Sequence, residues 1–366
     1  MREPPFWWRD AGAAARVLAP LAAVYGAIAA ERMRRAGARA GMPVICIGNL
    51  TVGGGGKTPT AISVARLLLR AGLRPVFLSR GYGGALAGPV RVSANARAAE
   101  VGDEPLLLAR IAPTIVARDR LAGAALAAKE SADAIVMDDG LQNPALVKDV
   151  ALVAVDGRRG VGNGCVIPAG PLRAPLAAQL DCAHGVLLVG EAGASAEMVL
   201  CEAQRRGLPI FTGRLEPVAT AAAEWAGRRV LAFAGIADPG KFFATLADGG
   251  VAVVAEYLFP DHHRYSAGDA ARLLARAERD GLQLVTTEKD AARLQGDPAV
   301  AALAARAKPF PVALAIDVAF TARWPSMPTM LSKLPCCARK AASRMPGSTP
   351  AAPMTSATRA RSRSPK

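Results

Sequence analysis

The chain has 366 residues, of which 52% are hydrophobic, and its formal net charge is +15. This length allows two ordinary domains with sizeable cores, and the apolar content excludes a chain that is disordered throughout. The six cysteines form no C-x-x-C pair and no cluster with histidine at zinc spacing, which argues against a zinc site and a disulfide framework. A reducing compartment is the natural interpretation.

Residues 1–40 predict an amphipathic helix that associates with a membrane surface. Two tryptophans precede an apolar run over residues 17–30, and three arginines follow it. The run is shorter than the roughly twenty residues that a helix needs to span a bilayer. Tryptophan suits the membrane interface and arginine suits anionic headgroups. A helix packed on the protein's own core, and an exported or spanning segment, stay open as alternatives.

Residues 43–72 combine a strand, a glycine loop and a helix. The run PVICI (43–47) predicts a buried parallel strand, and TAISVARLLLRA (60–71) has apolar residues at helical spacing and ends before Gly72. The loop between them reads TVGGGGKT. Thr51 stands where the usual G-x-x-x-x-G-K-[ST] loop has its first glycine. The variant spacing predicts a first turn that is built differently, around Gly48 or Gly53.

Four consecutive glycines allow backbone N–H groups to turn inward around phosphate oxygens. These glycines are Gly53, Gly54, Gly55 and Gly56. Lys57 is expected to reach the β- and γ-phosphates of a nucleotide, and Thr58 is expected to ligate Mg²⁺. The alternative is a plain glycine-rich turn. A Lys-Thr pair between a strand and a helix favours the nucleotide site.

The strand-like run ADAIVM (132–137) ends in two aspartates, Asp138 and Asp139. A carboxylate at the C-terminal end of a strand beside the phosphate-loop strand is where related enzymes hold Mg²⁺, directly or through water. Paired aspartates also occur in ordinary turns. Because a phosphate loop lies upstream, we expect at least one of the two to bind magnesium.

Several further motifs have no single interpretation when each is taken alone. They are SRGYGG (79–84), VGDEPLLLAR (101–110), VIPAGPLR (166–173), FPDHHRY (259–265) and TTEKDAARL (286–294). Helix caps, turns or solvated charges would explain each of them. Their order along the chain is more informative than any one of them.

The ordered motifs GNLTVGGGGKTP, SRGYGG, VGDEP, DDGLQ, PAGPLR, GIADPGKFF, FPDHH and TTEKD resemble those of the tetraacyldisaccharide 4′-kinases, the lipid A 4′-kinases of Gram-negative bacteria. The resemblance covers most of the chain before residue 320, and the variant loop is typical of that family, where Gly55 is commonly Thr. It implies phosphorylation by ATP, with Mg²⁺, of the 4′-hydroxyl of a lipid disaccharide 1-phosphate at the cytoplasmic face of the inner membrane. It implies no obligate protein partner.

The resemblance also implies roles for individual residues. Asp103 is expected to be the base that accepts the sugar hydroxyl proton, with His262 as its partner from a second unit. Lys57 is expected to stabilise charge on the transferring phosphoryl group, and the metal is expected at Thr58 and the two aspartates. Residues expected to line the acceptor or phosphate pocket are Arg80, Tyr82, Gln142 and Arg173.

Two positions depart from the family's pattern. The residue after DDGLQ is often His in the family and is Asn143 here, and an acidic residue usually follows PAGPLR where this chain has Ala174. Both departures weaken the expectations for the surroundings of the metal and the sugar.

Strand-like runs alternate with helical ones through the first 200 residues, at 43–47, 75–79, 113–117, 134–137, 150–155 and 185–189. The alternation predicts an α/β fold, with a P-loop NTPase-like domain over residues 41–213, a largely parallel sheet and the site at the C-terminal ends of the strands. A linker is expected at 214–227. A smaller α/β unit over 228–320 is expected to close with the strand-like run FPVALAIDV (310–318).

Residues 321–366 form a basic tail with nine Lys or Arg and no Asp or Glu, which leaves a net charge of +6 for residues 1–320. Pro, Ser and Thr are frequent and no periodicity is visible, so the tail is expected to be disordered. Its one aromatic residue, Trp324, offers no stacking pattern for single-stranded nucleic acid. We therefore expect no nucleic-acid partner and assign the tail no function.

Two other classes of function stay open beside the lipid kinase. A nucleotide-driven switch or metallochaperone of the phosphate-loop class needs no acceptor base, and TEKD is not the N-K-x-D motif with which that class often reads guanine. A non-catalytic membrane-associated protein is the second class, and it would not explain the presence of Lys57, Asp138 and Asp139. The lipid kinase explains the most residues.

Overall fold

The computed structural model describes residues 3–317 and Phe320. The tail expected over residues 321–366 lies outside the described residues. Across the part of the chain that is described, the strands form one nine-stranded sheet and one four-stranded sheet. We refer to the two parts of the fold as the larger unit and the smaller unit.

The strands, in chain order, are β1 (Val44–Gly48), β2 (Pro75–Ser79), β3 (Val90–Arg91), β4 (Thr114–Val116), β5 (Ala134–Asp138), β6 (Val150–Asp156), β7 (Gly185–Val189), β8 (Ile210–Pro217), β9 (Arg229–Ala234), β10 (Ala252–Leu258), β11 (Gln283–Thr286), β12 (Lys308–Pro309) and β13 (Val312–Ile316).

The α-helices are α1 (Ala13–Arg34), α2 (Lys57–Arg70), α3 (Ala98–Val101), α4 (Asp103–Ala109), α5 (Arg120–Lys129), α6 (Leu176–Asp181), α7 (Ala194–Arg205), α8 (Ala219–Trp225), α9 (Pro239–Asp248), α10 (Ala267–Arg279), α11 (Glu288–Leu294) and α12 (Ala301–Arg306). Two short 3₁₀ helices are Pro5–Trp8 and Pro298–Val300.

The larger sheet has the strand order β13-β8-β7-β6-β1-β5-β2-β4-β3. All neighbours are parallel except β3 against β4 and β13 against β8. The phosphate-loop strand β1 lies between β5 and β6, and Ile47 of β1 is in register with Asp138 of β5. The carboxyl ends of these central strands therefore meet at one edge, as expected for an α/β fold of this class.

Both faces of the central strands are buried, which explains why their sequences are continuous apolar runs. Along β1, Ile45 and Ile47 face the cluster that contains Leu68 of α2, whereas Val44 and Cys46 face the opposite cluster. This alternation follows from the two-residue period of a strand. The sheet is thus covered by helices on both sides, and its position fixes the start of α2.

The smaller unit is a parallel sheet with the order β10-β9-β11-β12. The strand β13, which the sequence analysis assigned to this unit, instead pairs antiparallel with β8 in the larger sheet. Residues of the expected linker 214–227 form the end of β8 and the helix α8. An apolar run such as VALAI predicts a strand but does not indicate which sheet edge the strand joins, and the chain here returns to the larger sheet.

Helix α1 exposes an apolar face. Its 22 residues are, by length and composition, enough to cross a membrane, and 22% of its most apolar stretch is buried. It is longer than the apolar run from which we expected a surface helix, because three alanines and Arg16 extend its start and residues 31–34 extend its end. Small residues such as Gly26 pack inward, against Pro175 and Val166. A helix wholly inside the protein's own core would not leave its larger apolar side chains exposed.

Candidate active site

The phosphate loop runs from the end of β1 to the start of α2. Gly53 and Gly56 have φ values of 90° and 80°, a region that side chains disfavour, so glycine is required at both positions. The turn that replaces the usual first glycine is thus made at Gly53. Lys57 and Thr58 are the first two residues of α2, and both are buried. Backbone N–H groups at such a helix start favour anions.

Lys57 faces inward across the loop. Its Nζ donates a hydrogen bond to the Gly53 carbonyl at 3.2 Å and lies 3.7 Å from Oδ2 of Asp139. Burial lowers the pKa of Lys57 below its ordinary value, while the charge of Asp139 acts in the opposite direction. The ammonium group is therefore poorly compensated, which favours the approach of a phosphate.

Asp138 and Thr58 fit a magnesium site. Thr58 Oγ1 donates to Oδ2 of Asp138 at 3.3 Å, and Oδ1 of Asp138 is buried without a hydrogen-bond partner. Burial, with the charges of Glu104 and Asp139, raises the pKa of Asp138 well above its ordinary value. A divalent cation would satisfy the orphaned oxygen and offset that cost.

Among residues 3–317, no group of three or more His, Cys, Asp or Glu side chains forms a ready-made metal cage. This suits magnesium, which is usually held by one or two carboxylates together with substrate phosphates and water.

Asp139 has a different environment from its neighbour. Its φ of 58° lies in the left-handed region, which is uncommon for a residue other than glycine and is often found at functional sites. Its Oδ1 accepts a hydrogen bond from Arg173 Nη1 at 2.6 Å. Burial would raise the pKa of Asp139, but the charges of Lys57 and Arg173 outweigh it and hold the pKa below its usual range. Asp139 is thus an ionised partner of two cations.

Gln142 and Arg173 donate hydrogen bonds to carbonyl groups of the phosphate loop. Arg173 Nε donates to the Thr51 carbonyl at 2.9 Å, and Gln142 Nε2 donates to the Asn49 carbonyl at 2.8 Å. Their polar atoms are therefore engaged with the phosphate loop and with Asp139. Their expected contact with the acceptor or its phosphate stays a prediction.

The two departures from the family's pattern have local structural roles. Asn143 Oδ1 accepts from the N–H of Ala145 at 2.9 Å, which closes a turn. Ala174 is fully buried, and its carbonyl accepts from Gln179 Nε2 at 2.7 Å. Neither side chain can supply a charge to the site.

Asp103 and His262 come together from different units. Asp103 is the first residue of α4 and is 4% exposed, and His262 lies on the loop after β10 with a φ of 55°. His262 Nδ1 is 3.4 Å from Asp103 Oδ2. The interaction with Asp103 raises the pKa of His262, against the effect of its partial burial. The two residues therefore lie in contact in this structure, and their role as an acid–base pair stays a prediction.

Arg80 and Tyr82 lie on the loop after β2, and both are exposed. The ring centroids of Tyr82 and His262 are 5.1 Å apart, and Arg264 Nη2 reaches the Gly83 carbonyl at 3.5 Å. The exposed fraction of Tyr82 is 63%. Tyr82 is therefore an accessible neighbour of His262, and Arg80 is an exposed residue of the same loop.

Charged contacts that the sequence did not predict join the two units. Lys289 and Arg293 of α11 contact Glu104 and Asp103 of α4. Their motif TTEKDAARL was noted, and a spacing of four residues places both cations on one helix face. That spacing was the available signal, but it does not indicate which acids the cations meet.

A parallel α/β sheet, a glycine loop at a helix start, and a buried lysine beside paired aspartates define a P-loop nucleotide-binding protein. The contact between a buried carboxylate and a histidine, Asp103 and His262, is compatible with the acid–base chemistry of a P-loop kinase.

Comparison with known proteins gives the family. The family described as tetraacyldisaccharide-1-P 4′-kinase matches residues 14–333. Relatives called tetraacyldisaccharide 4′-kinase include one from Methylobacterium sp. (strain 4-46), with 58% identity over 84% of this chain and 92% of its own length. Another, from Rhodopseudomonas palustris (strain BisB18), has 54% identity over 87% of this chain and 92% of its own length. The chain therefore belongs to the tetraacyldisaccharide 4′-kinase family and is a kinase.

A solved structure supports the same fold. The crystal structure of the "apo" form of LpxK from Aquifex aeolicus in complex with ATP is similar to this chain, with a TM-score of 0.67 and 25% sequence identity. The similarity covers 86% of this chain and 99% of that one. The prediction of a P-loop α/β fold is confirmed.

Proposed function

We propose that the protein transfers the γ-phosphoryl group of ATP to the 4′-hydroxyl of tetraacyldisaccharide 1-phosphate. Asp103 accepts the hydroxyl proton as the hydroxyl oxygen bonds to the γ-phosphorus, and the bond from that phosphorus to the β–γ bridging oxygen breaks to release ADP. The single observation that carries the proposal is the contact between Asp103 and His262. A nucleotide switch has no use for such a base.

The charges of the site suit each step. Lys57 and the N–H groups of the glycine loop stabilise negative charge on the transferring group. Bound Mg²⁺ would neutralise phosphate oxygens, with Asp138 and Thr58 as its holders and Asp139 close by. The raised pKa of His262 favours its charged form. The charged ring keeps Asp103 oriented and ionised until the hydroxyl binds. Arg80 and Tyr82 are proposed to contact the lipid's sugar.

The reaction is proposed to occur at the cytoplasmic face of the inner membrane, where ATP is available. In support, the outward face of α1 consists of large apolar side chains. Val17, Leu21, Val24 and Ile28 are between 62% and 77% exposed and recur at helical spacing. Arginines in the last turn of the helix suit anionic headgroups. The lipid substrate and the membrane surface are then the partners, and neither nucleic acid nor a further protein is needed.

The test is phosphate transfer from labelled ATP to tetraacyldisaccharide 1-phosphate in mixed detergent micelles. Asp103→Ala is assayed beside the wild type, with Asp248→Ala, the exposed last residue of α9, as the matched control. We expect labelled lipid from the wild type and the control and none from Asp103→Ala. If ATP is hydrolysed while the lipid stays unlabelled, the acceptor is wrong and the switch or metallochaperone becomes the better proposal.

A further inference from the structure

Helix α11 of the smaller unit lies against α4 of the larger unit, and two ion pairs join them. Lys289 Nζ donates to Glu104 Oε1 at 2.6 Å. Arg293 Nε donates to Asp103 Oδ2 at 2.8 Å, and Nη2 of the same guanidinium donates to the same oxygen. Each acid in the first turn of α4 thus meets one cation of α11. The reaction as written above uses neither cation.

The Arg293 guanidinium is fixed by a buried network within its own unit. Its Nη1 donates to the Gly235 carbonyl at 2.6 Å and to Asp290 Oδ1 at 2.7 Å. Asp290 is fully buried and also accepts hydrogen bonds from Tyr265, at 2.9 Å, and from Thr287, at 2.6 Å. Because these hydrogen bonds fix Nη1, the smaller unit orients the guanidinium of Arg293. Its Nε and Nη2 then donate to Asp103. Only 7% of the Arg293 side chain is exposed.

The two oxygens of Asp103 are therefore unequal. Oδ2 accepts from Arg293 and lies 3.4 Å from His262 Nδ1. Within residues 3–317, Oδ1 accepts from one donor, the N–H of Glu104, at 3.0 Å. A carboxylate oxygen can accept two hydrogen bonds, so Oδ1 keeps the capacity to accept one from a hydroxyl.

We propose that Arg293 is a positioning residue for the phosphoryl transfer: it holds Asp103 by Oδ2 and leaves Oδ1 to take the proton of the acceptor hydroxyl. The inference rests on the proposed role of Asp103 as the base. It goes beyond that role because it makes the base dependent on docking of α11 against α4. A residue of the smaller unit then sets the geometry of a reaction on the larger unit.

The charges that face Asp103 give the inference a measurable consequence. They come from Arg293 and Lys289 on α11, from His262 on the loop after β10, and from Glu104 on its own helix. Burial would raise the pKa of Asp103, but the interactions with His262, Arg293 and Lys289 outweigh it and hold the pKa well below its usual range. Removal of the Arg293 charge therefore lets the pKa of Asp103 rise.

The experiment measures kcat and KM for both substrates against pH in the full chain, in the micelle assay with tetraacyldisaccharide 1-phosphate. The variants are Arg293→Gln, which removes the charge, and Arg293→Lys, which keeps it without the two-donor contact. Arg306→Gln is the matched control, because Arg306 makes an exposed ion pair with Glu278 in the same unit.

We expect Arg293→Gln to move the acidic limb of kcat/KM upward by about 1–3 pH units, the usual effect of one nearby opposite charge. Its kcat should fall by roughly 10²-fold, within the range for loss of effective proton transfer. The KM for ATP should change little. Arg293→Lys should return the acidic limb toward the wild-type position while kcat stays low. Arg306→Gln should behave as the wild type.

Two results would overturn the inference. One is a reduced kcat in Arg293→Gln with an unmoved acidic limb, which is what a merely structural loss produces. The other is wild-type kcat in Arg293→Lys, which would show that the two-donor contact does not position the base. If Arg293→Gln fails to fold by circular dichroism, the lysine variant alone still decides the question.

Asp103→Asn in the same assay separates this inference from the proposed function. If Asp103→Asn keeps wild-type turnover, the base assignment fails and the inference falls with it. If Asp103→Asn is inactive and the Arg293→Gln limb is unmoved, the base assignment stands and only the role of Arg293 fails.

Discussion

Oδ2 of Asp103 and Nδ1 of His262 lie 3.4 Å apart, although the two residues belong to different units of the fold. At this distance the contact is slightly longer than an ordinary hydrogen bond. The pair therefore joins the smaller unit to the side chain that we propose as the base.

Lys57→Ala is expected to lower kcat by about 10²- to 10³-fold, because it removes a preorganised donor to the transferring phosphoryl group. Folding should persist, since the buried ammonium is poorly compensated and Asp139 keeps Arg173 as a partner. The measurements are lipid phosphorylation and the thermal midpoint. Lys129→Ala, at the exposed end of α5, is the control. Transfer at the wild-type rate in Lys57→Ala would remove the lysine from the reaction.

Gly102 precedes the proposed base, and its replacement by alanine should damage both stability and turnover. Its φ is 93°, and a Cβ there would lie 2.5 Å from the Tyr82 carbonyl oxygen. Gly207 is a matched control, because its φ is 67° but a Cβ would meet nothing within 4 Å.

Gly207→Ala should lose about 1–2 kcal/mol of the free energy of unfolding, from backbone strain alone. Gly102→Ala should lose more, because the Tyr82 backbone must also shift, and Asp103 then moves with it. Urea unfolding and lipid phosphorylation test both variants. Equal stability losses, or normal turnover in Gly102→Ala, would show that the close contact does not set the position of Asp103.

The central part of the site follows from the sequence. A buried strand that leads into GGGGKT and a second buried strand that ends in two aspartates must place Lys57 near Asp138 if the strands are parallel neighbours. The structure has them as neighbours, with Ile47 in register with Asp138. The local sequence pattern was sufficient because Lys57 follows β1 after one loop and Asp138 is the last residue of β5.

The sequence contains no pattern that predicts the contacts between the two units. Arg293 meets Asp103 across 190 positions of sequence, and nothing in TTEKDAARL indicates that its arginine is buried against VGDEP. The predicted sheet of β13 was wrong because the sequence of a strand does not indicate which sheet the strand joins. The exposure of the large side chains of α1 also depends on which face of the helix packs against the protein. An apolar run alone does not indicate that face.

The two histidines with shifted pKa values should affect stability in opposite directions with pH. Contact with Asp103 raises the pKa of His262, so its contribution to stability is full below its ordinary pKa of about 6.5 and is lost as pH rises through the raised value. Burial lowers the pKa of His184, whose neutral ring accepts the N–H of Ala151. Its contribution is lost as pH falls.

The free energy of unfolding is measured by urea titration at pH 5.5 and pH 8.5. His262→Gln should be more destabilising at the lower pH, by less than about 1 kcal/mol because the ring is partly exposed. His184→Gln should be more destabilising at the higher pH. The same sign for both variants would contradict the assigned environments.

The apolar outward face of α1 should carry the membrane contact. Replacement of Val17, Leu21, Val24 and Ile28 by serine removes apolar area that is exposed in the protein alone, so the thermal midpoint should hardly change. Each side chain that enters a membrane interface contributes up to about 1.5–3 kcal/mol, so binding should fall by more than about tenfold for the four together. The measurement is cosedimentation with vesicles of phosphatidylethanolamine and phosphatidylglycerol.

The control replaces Val254 and Leu258 by serine, because these exposed apolar residues lie on β10 of the smaller unit, away from α1. The control should sediment with vesicles as the wild type does. If the α1 variant sediments equally well, its apolar face is not the contact, and the basic residues or the smaller unit must hold the protein at the membrane. If both variants lose binding, the contact surface extends over both units, and the acceptor would then reach Asp103 between them.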